Sequence, residues 1–275
     1  MLDLSVVIVN WNTCDLLRMC LASVFRYMQG IAYEVFVVDN ASSDGSSDMV
    51  AQEFPAARVI RNTENVGFSR ANNQAIRLTS SRYVLLLNSD TELRSPALPE
   101  IVSFMDQHPS VGICGTKLLH ADGAWQYSCD VFPRKPVILL RDKLANLCLP
   151  GNSFTREGKM AQWDYHNNFP VDYVIGAVLC IRRETLAHIG LLDEQSFMYA
   201  EDIDWCYRAK LAGWDVYYVG KISIYHYNQG SSAKSPELSA HLRRMREQSL
   251  LQFYQKYYGR FTATIMKLIM ALKRD

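Results

Sequence analysis

Leu4-Ser5-Val6-Val7-Ile8-Val9-Asn10-Trp11-Asn12 (residues 4–12) sets the fold. Leu4–Val9 is a near-continuous apolar run, the mark of a strand buried on both faces, and such strands belong to parallel sheets covered by helices. The run ends abruptly in a polar cluster, Asn10-Trp11-Asn12. Further along, Glu34–Val38 is a second short apolar strand, Ala57–Ile60 a third and Tyr83–Leu87 a fourth.

Helical patterns fill the intervals. Leu17, Leu21, Val24, Phe25 and Met28 recur at helical spacing within Asp15–Met28. The Asn40–Asp48 stretch is a turn able to cap a helix beginning near Asp48, and Ser69–Leu78 reads as another helix. Strands separated by helices of this size predict a parallel α/β sheet with right-handed crossovers. The second half is less regular. Val111–Gly115, Asp172–Ile181, Asp215–Val219 and Ile222–Tyr225 read as strands, and Arg183–Ile189 and Glu201–Ala212 as helices. Residues 120–170 read as loops and short elements over the sheet, where specificity often resides. The expected division is a domain over residues 1–235, with a nucleotide-binding half at about 1–115 and an acceptor-side half at about 116–235. A helical extension covers 236–275.

The chain has 275 residues, 49% hydrophobic and 21% charged, enough for a substantial core without disulfides or structural metal. A net charge of +1 gives no basis for phosphate neutralisation, so nucleic acid is not an expected partner. The seven cysteines are scattered without a CxxC pair and read as buried free thiols in a reducing compartment. The N-terminus lacks a basic leader, and no segment reaches the ~18 apolar residues of a membrane span. The expected location is the cytoplasm, with the inner face of the cell membrane as a place of peripheral contact.

That contact rests on Arg260–Arg274, where Arg260, Lys267 and Arg274 lie opposite Phe261, Ile265, Leu268, Ile269 and Leu272. The segment reads either as a helix docked on the domain or as a basic amphipathic helix on an anionic membrane.

Ligands of open α/β sheets bind beyond the carboxyl ends of the strands. Three strands here end in polar clusters: Asn10-Trp11-Asn12, Asp39-Asn40-Ala41-Ser42-Ser43-Asp44 and Asn88-Ser89-Asp90-Thr91. Neither GxGxxG after the first strand nor GxxxxGK[ST] occurs, which argues against a dinucleotide enzyme or a P-loop NTPase. Singly, each position stays open. Asp39 could accept the imide N–H of a pyrimidine base or form an Asx-turn. Asp90 could hold a hard divalent cation or shape a turn. His226 could ligate that cation or be a structural imidazole, and the polar 228–234 tail behind it could fold over a phosphate as a lid. Glu201-Asp202 could serve chemistry or merely complement a helix dipole.

Taken jointly, five stretches resemble the family 2 inverting glycosyltransferases of the GT-A fold, in their rhamnosyltransferase-like branch. They are residues 6–12, 37–46, 65–73, 85–91 and 197–208, in the family's order and spacing. The resemblance implies a Rossmann-like, mostly parallel sheet with a smaller acceptor-side region, to which the Arg260–Arg274 pattern adds a C-terminal amphipathic helix. Val9, Asn10 and Asp39 would hold the nucleobase. Asn65, Gly67, Phe68 and Asn72 would line base and ribose, and Asn88 and Ser89 the nucleotide sugar. Asp90 matches the last carboxylate of the DxD motif and, with His226, would bind Mg²⁺ or Mn²⁺ on the donor diphosphate. Asp202 matches the catalytic base.

The implied partners are a nucleotide-sugar donor, leaning to dTDP-L-rhamnose, and a glycan or polyprenyl-linked glycan acceptor. One departure stands out: Asn88 replaces the first carboxylate of DxD. UDP-hexose or UDP-N-acetylhexosamine donors would use the same scaffold. A non-catalytic nucleotide-sugar-binding subunit is disfavoured because Asp90, Asp202 and His226 are all present. A nucleotidyltransferase is disfavoured because residues 10–13 lack the Gly and Lys of a phosphate loop.

Overall fold

A computed structural model describes residues 1–148, 155, 160, 163–227 and 236–272. The first half alternates as expected. β1 (Leu4–Asn10) leads to α1 (Cys14–Tyr27), β2 (Tyr33–Asp39) to α2 (Ser46–Glu53), β3 (Ala57–Arg61) to α3 (Phe68–Ile76), and β4 (Tyr83–Asn88) completes the series. These strands lie in the order β3-β2-β1-β4, all parallel. Asn10 pairs with Asp39 and Val9 with Asn88, so the polar clusters end level with one another.

Because strand side chains alternate, each strand feeds two cores. Val6, Ile8, Val35 and Val37 pack on one face with Leu17 and Leu21 of α1 and Val50 of α2. Val7, Phe36 and Val38 pack on the other with Ala71 and Ala75 of α3. Burial on both faces is the physical reason the runs are apolar throughout.

After β4 come β5 (Thr91–Glu92), α4 (Ala97–Gln107), β6 (Val111–Leu119), β7 (Trp125–Gln126), β8 (Cys129–Asp130), α5 (Pro136–Cys148) and β9 (Asn168–Pro170). β10 (Tyr173–Val174), β11 (Val178–Arg182), α6 (Arg183–Ile189), α7 (Glu201–Leu211), β12 (Asp215–His226) and α8 (Pro236–Leu272) follow. The main sheet runs β3-β2-β1-β4-β11-β6-β12-β5, with β7 on β6 and β9 on β12. β11 is antiparallel to both β4 and β6, while β12 is parallel to β6. The fold is therefore α/β with a parallel nucleotide-side half and a mixed second half.

Several expectations needed correction. The predicted strand Asp172–Ile181 is two strands, because β10 pairs with β8 in a separate ladder and only β11 joins the main sheet. The break falls at Ile175–Ala177, where the Gly176 N–H is drawn to a side chain, Asp202 Oδ2 at 3.0 Å. The two predicted strands 215–219 and 222–225 are one, β12, with a register shift between Val219 and Ser223 that absorbs the irregularity. Residues 120–170 contain a 13-residue helix, α5, rather than only short elements. The cysteines are free, but Cys148 is exposed rather than buried.

The second face of the sheet is closed by α7. Trp205 is fully buried, and its Nε1–H donates to the Gly190 carbonyl at 2.9 Å. Trp205→Ala would remove this anchor and leave a cavity, so urea unfolding should show a loss of about 3–5 kcal/mol. A loss below about 1 kcal/mol would mean that α7 is not held by this packing.

Candidate active site

The carboxyl ends of β1, β2 and β4 lie side by side. Asn10 Nδ2 donates to Asp39 Oδ1 at 3.1 Å and to Ser42 Oγ at 3.1 Å. Asp39 Oδ2 accepts the Ser42 N–H at 3.2 Å. Thr13 Oγ1 donates to Asn10 Oδ1 at 2.6 Å and lies 2.9 Å from Ser89 Oγ, so all three strand ends share one hydrogen-bond chain. Asn10, Asn72 and Asp39 are almost completely buried, whereas Val9, Asn65, Phe68 and Asn88 are half-buried. Asn72 turns its amide to the Phe68 carbonyl at 2.9 Å and braces the first turn of α3.

Asp44, part of the expected cap, serves two helices. Its Oδ1 accepts the Ser46 N–H at the start of α2 at 3.1 Å, and its Oδ2 accepts the Cys14 N–H at the start of α1 at 2.8 Å. This fixes the strand-two turn against the strand-one turn. Among the described residues, the non-glycine positive-φ positions are Asn12, Ala41, Tyr199 and Ala200. Asn12 and Ala41 lie in those two turns, and Tyr199 and Ala200 in the segment leading into α7. Backbone of this kind is held only where surrounding contacts over-determine it.

The segment 65–68 reaches across to residue 197. Asn65 Oδ1 accepts the Gly67 N–H at 3.0 Å, and the Phe68 N–H donates to the Phe197 carbonyl at 2.8 Å. Gly67 has φ +87°, and a Cβ there would lie 2.5 Å from the Phe197 carbonyl oxygen. Only glycine fits both demands. The Phe68 ring lies alongside Gly176 and Asp202, since a Cβ on Gly176 would meet Phe68 Cε1 at 3.6 Å and Asp202 Cβ at 3.8 Å.

Asp90 and His226 meet because β5 pairs antiparallel with the end of β12, setting Thr91 opposite His226. The Tyr227 N–H donates to the Asp90 carbonyl at 2.9 Å, and Thr91 Oγ1 donates to the Asn88 carbonyl at 2.8 Å. His226 Nε2 lies 3.2 Å from Asp90 Oδ1 and 3.3 Å from Asn88 Nδ2. Its Nδ1 donates to Gln126 Oε1 at 2.9 Å. A proton fixed on Nδ1 leaves the Nε2 lone pair facing the Asp90 carboxylate, as for a metal-ligating histidine oriented by an outer partner. Two acceptors this close fit a cation between them. Among the described residues no group of three or more His, Cys, Asp or Glu side chains forms a metal cluster. A divalent ion held here would therefore draw further oxygens from a ligand.

Asp202 stands in the first turn of α7. Its Oδ2 accepts the Gly176 N–H at 3.0 Å and its Oδ1 the Ile203 N–H at 2.8 Å. Burial pushes its carboxyl above the ordinary value, opposed by those N–H groups and by the charge of Arg246. Beside it, Glu201 is buried, and its Oε2 has no hydrogen-bond partner among the described residues. Burial first, then the charge of Asp202, pushes Glu201 up to about 8. The Asn88 N–H donates to the Ala177 carbonyl at 2.9 Å, so Gly176 and Ala177 join the Asp202 carboxylate to the end of β4.

Sequence reasoning missed Gln126, Gly176 and Glu201. Gln126 and Gly176 act through long-range hydrogen bonds that leave no periodic trace. Glu201 was visible only as half of an acidic pair. The 228–234 tail expected as a lid lies outside the described residues.

A family model for glycosyl transferase family 2 matches residues 5–161. Among curated relatives, an N-acetylglucosaminyl-diphospho-decaprenol L-rhamnosyltransferase of Mycobacterium tuberculosis is 25% identical over 223 residues, covering 75% of this chain and 71% of that protein. A low-salt glycan biosynthesis hexosyltransferase of Haloferax volcanii is 28% identical over 212 residues, covering 76% of this chain and 62% of that protein. In structure, the chain resembles a mannosyltransferase of Pyrobaculum calidifontis in complex with GDP-Man and Mn²⁺, with a TM-score of 0.61 at 20% identity. That likeness covers 93% of this chain and 66% of the other, and it bears on the fold alone. The matched span is more than half of the sequence, and the chain belongs to glycosyl transferase family 2, as a glycosyltransferase of the GT-A fold.

Proposed function

We propose that the chain transfers a sugar from a nucleotide-diphosphate donor to a hydroxyl of a glycan acceptor, with inversion at the anomeric carbon. The observation that carries this reading is the joining of Asp202 to the end of β4 through Gly176 and Ala177. This link supports the reading because it ties a carboxylate of raised proton affinity to the strand end that Asp90 follows. A base on one side of a sugar and a diphosphate site on the other suit a single displacement, without a covalent sugar-enzyme intermediate.

Asp39, with Val9, Asn65 and Phe68, lines the base and ribose region, while Asn10, Gly67 and Asn72 brace it. Asp90 and His226 would hold Mg²⁺ or Mn²⁺, with Asn88 and Ser89 beside the diphosphate. When bound, the ion acts as a Lewis acid for charge developing on the leaving diphosphate. Asp202 accepts the proton of the attacking hydroxyl. The Gly176 and Ile203 N–H groups each occupy one of its oxygens and fix the carboxylate plane, leaving lone pairs for the substrate. Its raised proton affinity brings the base closer to the working pH. Burial raises the proton affinity of both members of the acidic pair, and the Gly176 and Ile203 N–H groups oppose that rise at Asp202.

The Mycobacterium tuberculosis relative, by its name, handles L-rhamnose and a decaprenol-linked acceptor. This supports dTDP-L-rhamnose as donor and a polyprenyl-linked glycan as acceptor here. UDP-hexose and UDP-N-acetylhexosamine are the competing donors.

A thermal-shift panel of nucleotide sugars with Mg²⁺ or Mn²⁺ tests the donor, because a ligand present at about 100 times its Kd stabilises the folded state by about 2.7 kcal/mol. dTDP-L-rhamnose should give the largest shift, and a larger response to a UDP-sugar would reassign the donor. Asp202→Asn should lower kcat by about 100- to 10,000-fold while nearly preserving donor binding. Turnover near wild type would refute the base. Because Asn88 replaces a carboxylate, Mn²⁺ should bind weakly alone and tighten when nucleotide is present. Tight binding without nucleotide, unaffected by Asp90→Asn, would contradict the site.

Glu201 also makes stability depend on pH. Between its ordinary 4.5 and about 8, the unfolded chain loses a proton that the folded chain keeps, so this group's contribution falls as pH rises. Glu201→Gln should flatten that decline, narrowing the melting-temperature difference between pH 5 and pH 8. An unchanged difference would show that Glu201 titrates normally.

A further inference from the structure

Among the described residues, thirteen large apolar side chains are exposed, and seven of them fall on α5 and on the end of α8. α8 is broken at Gly259, whose φ of 84° and ψ of 162° divide it into a long first arm and a second arm, Arg260–Leu272. On α5, Val137, Leu140, Leu144 and Leu147 are 56–79% exposed. Their spacings of three, four and three place them on one helix face. On the second arm, Phe261, Leu268 and Leu272 are 61–79% exposed, at spacings of seven and four.

These faces are not merely the unpacked side of a polar surface helix. The inward sides are already filled, with Leu139 and Ile269 packed against Tyr254, Ala263 and Met266. Both helices are thus apolar inward and apolar outward. No described helix is long and apolar enough to cross a membrane.

The charges around these faces select the occupant. Lys135, Arg141, Arg260 and Lys267 are exposed. The second arm contains no Asp or Glu. The single acid of α5, Asp142, is buried and paired with Arg134 and Arg141. A second copy of the chain meeting itself through this surface would set one basic face against another. A bilayer surface with anionic headgroups would accept both the cations and the apolar side chains.

We infer that α5 and the second arm of α8 form a two-helix face that docks on an anionic membrane surface. The first arm fixes this face to α7, whose first turn carries Asp202. Lys256 Nζ and Tyr257 Oη each donate to Asp204 Oδ1 at 2.6 Å, and Ser249 Oγ donates to the Met198 carbonyl at 2.8 Å. Tyr254 and Tyr258 donate to the carbonyls of Arg134 and Pro133, just ahead of α5. Membrane docking stands apart from the sugar-transfer reading; only the delivery of a lipid-linked acceptor to Asp202 rests on it.

The test is flotation of the full chain, without donor, on vesicles of phosphatidylcholine alone or with about 30% phosphatidylglycerol. Wild type should float with the anionic vesicles and release in high salt. Leu140→Glu/Leu144→Glu and Leu268→Glu/Leu272→Glu should each weaken partitioning by about tenfold or more. Arg260→Gln/Lys267→Gln should weaken it by roughly fivefold per charge. All these positions are exposed, so circular dichroism and nucleotide-induced melting shifts should match wild type. Failure of wild type to float, or flotation unchanged in both leucine pairs, would overturn the inference. So would a stable dimer in analytical ultracentrifugation that the leucine pairs dissociate while wild type ignores vesicles.

Discussion

The two-residue bridge Gly176-Ala177 is the constraint on which the site depends. One peptide N–H is given to the Asp202 carboxylate and the next carbonyl is taken up by the end of β4. Gly176 and Ala177 are adjacent in the backbone, so one short stretch of chain sets the spacing between the Asp202 carboxylate and the Asn88–Asp90 turn through two hydrogen bonds. It also explains why the 172–181 stretch cannot run as a single strand. The N–H that would have continued a ladder is committed to a side chain, so the chain leaves one sheet and enters another. The Phe68 ring and the 65–68 segment then close on the same point, which is why Gly67 tolerates no side chain there.

The Asp90–His226 pair is built differently, from the edge of the sheet. Two residues of β5 suffice to bring a turn carboxylate against the end of a strand 136 positions later, because the ladder sets Thr91 opposite His226. Gln126 then decides which imidazole nitrogen carries the proton. With Asn88 beside the histidine, the local negative charge is lower than in a site with two carboxylates. In this arrangement phosphate oxygens would complete the metal shell, linking metal affinity to nucleotide.

What could be read from the sequence follows from how far each signal extends. β1, β2, β3 and β4 were legible within a residue or two because burial on both faces writes an apolar run into consecutive positions. The polar clusters at their ends were legible for the same reason, by contrast. α4 carries a helical pattern in Leu98, Ile101, Val102 and Met105 that could have been read but was not. The antiparallel insertion of β11 and the continuity of β12 through its register shift were not legible, since both depend on neighbours far away in sequence. Among the candidate site residues, Asp39, Asp90, Asp202 and His226 stood in motifs. Gln126 and Gly176 act only through a partner 100 and 26 positions away, and a single sequence gives no sign of such a bond.

The acidic start of α7 shows how the C-terminal helix is coupled to the rest of the chain. Asp204 collects Arg208 from its own helix and Lys256 and Tyr257 from α8, and this neutralises one of three adjacent acids outright. Glu201 is pushed toward its neutral form by burial. Asp202 alone is left with backbone N–H groups, which stabilise a carboxylate without removing its capacity to accept a proton. Three acids within one helical turn would otherwise repel each other at short range. The sequence Glu-Asp-Ile-Asp resolves that repulsion by giving each acid a different means of neutralisation. One of the three depends on α8 for it, so the C-terminal helix bears on the electrostatics of the site as well as on its packing.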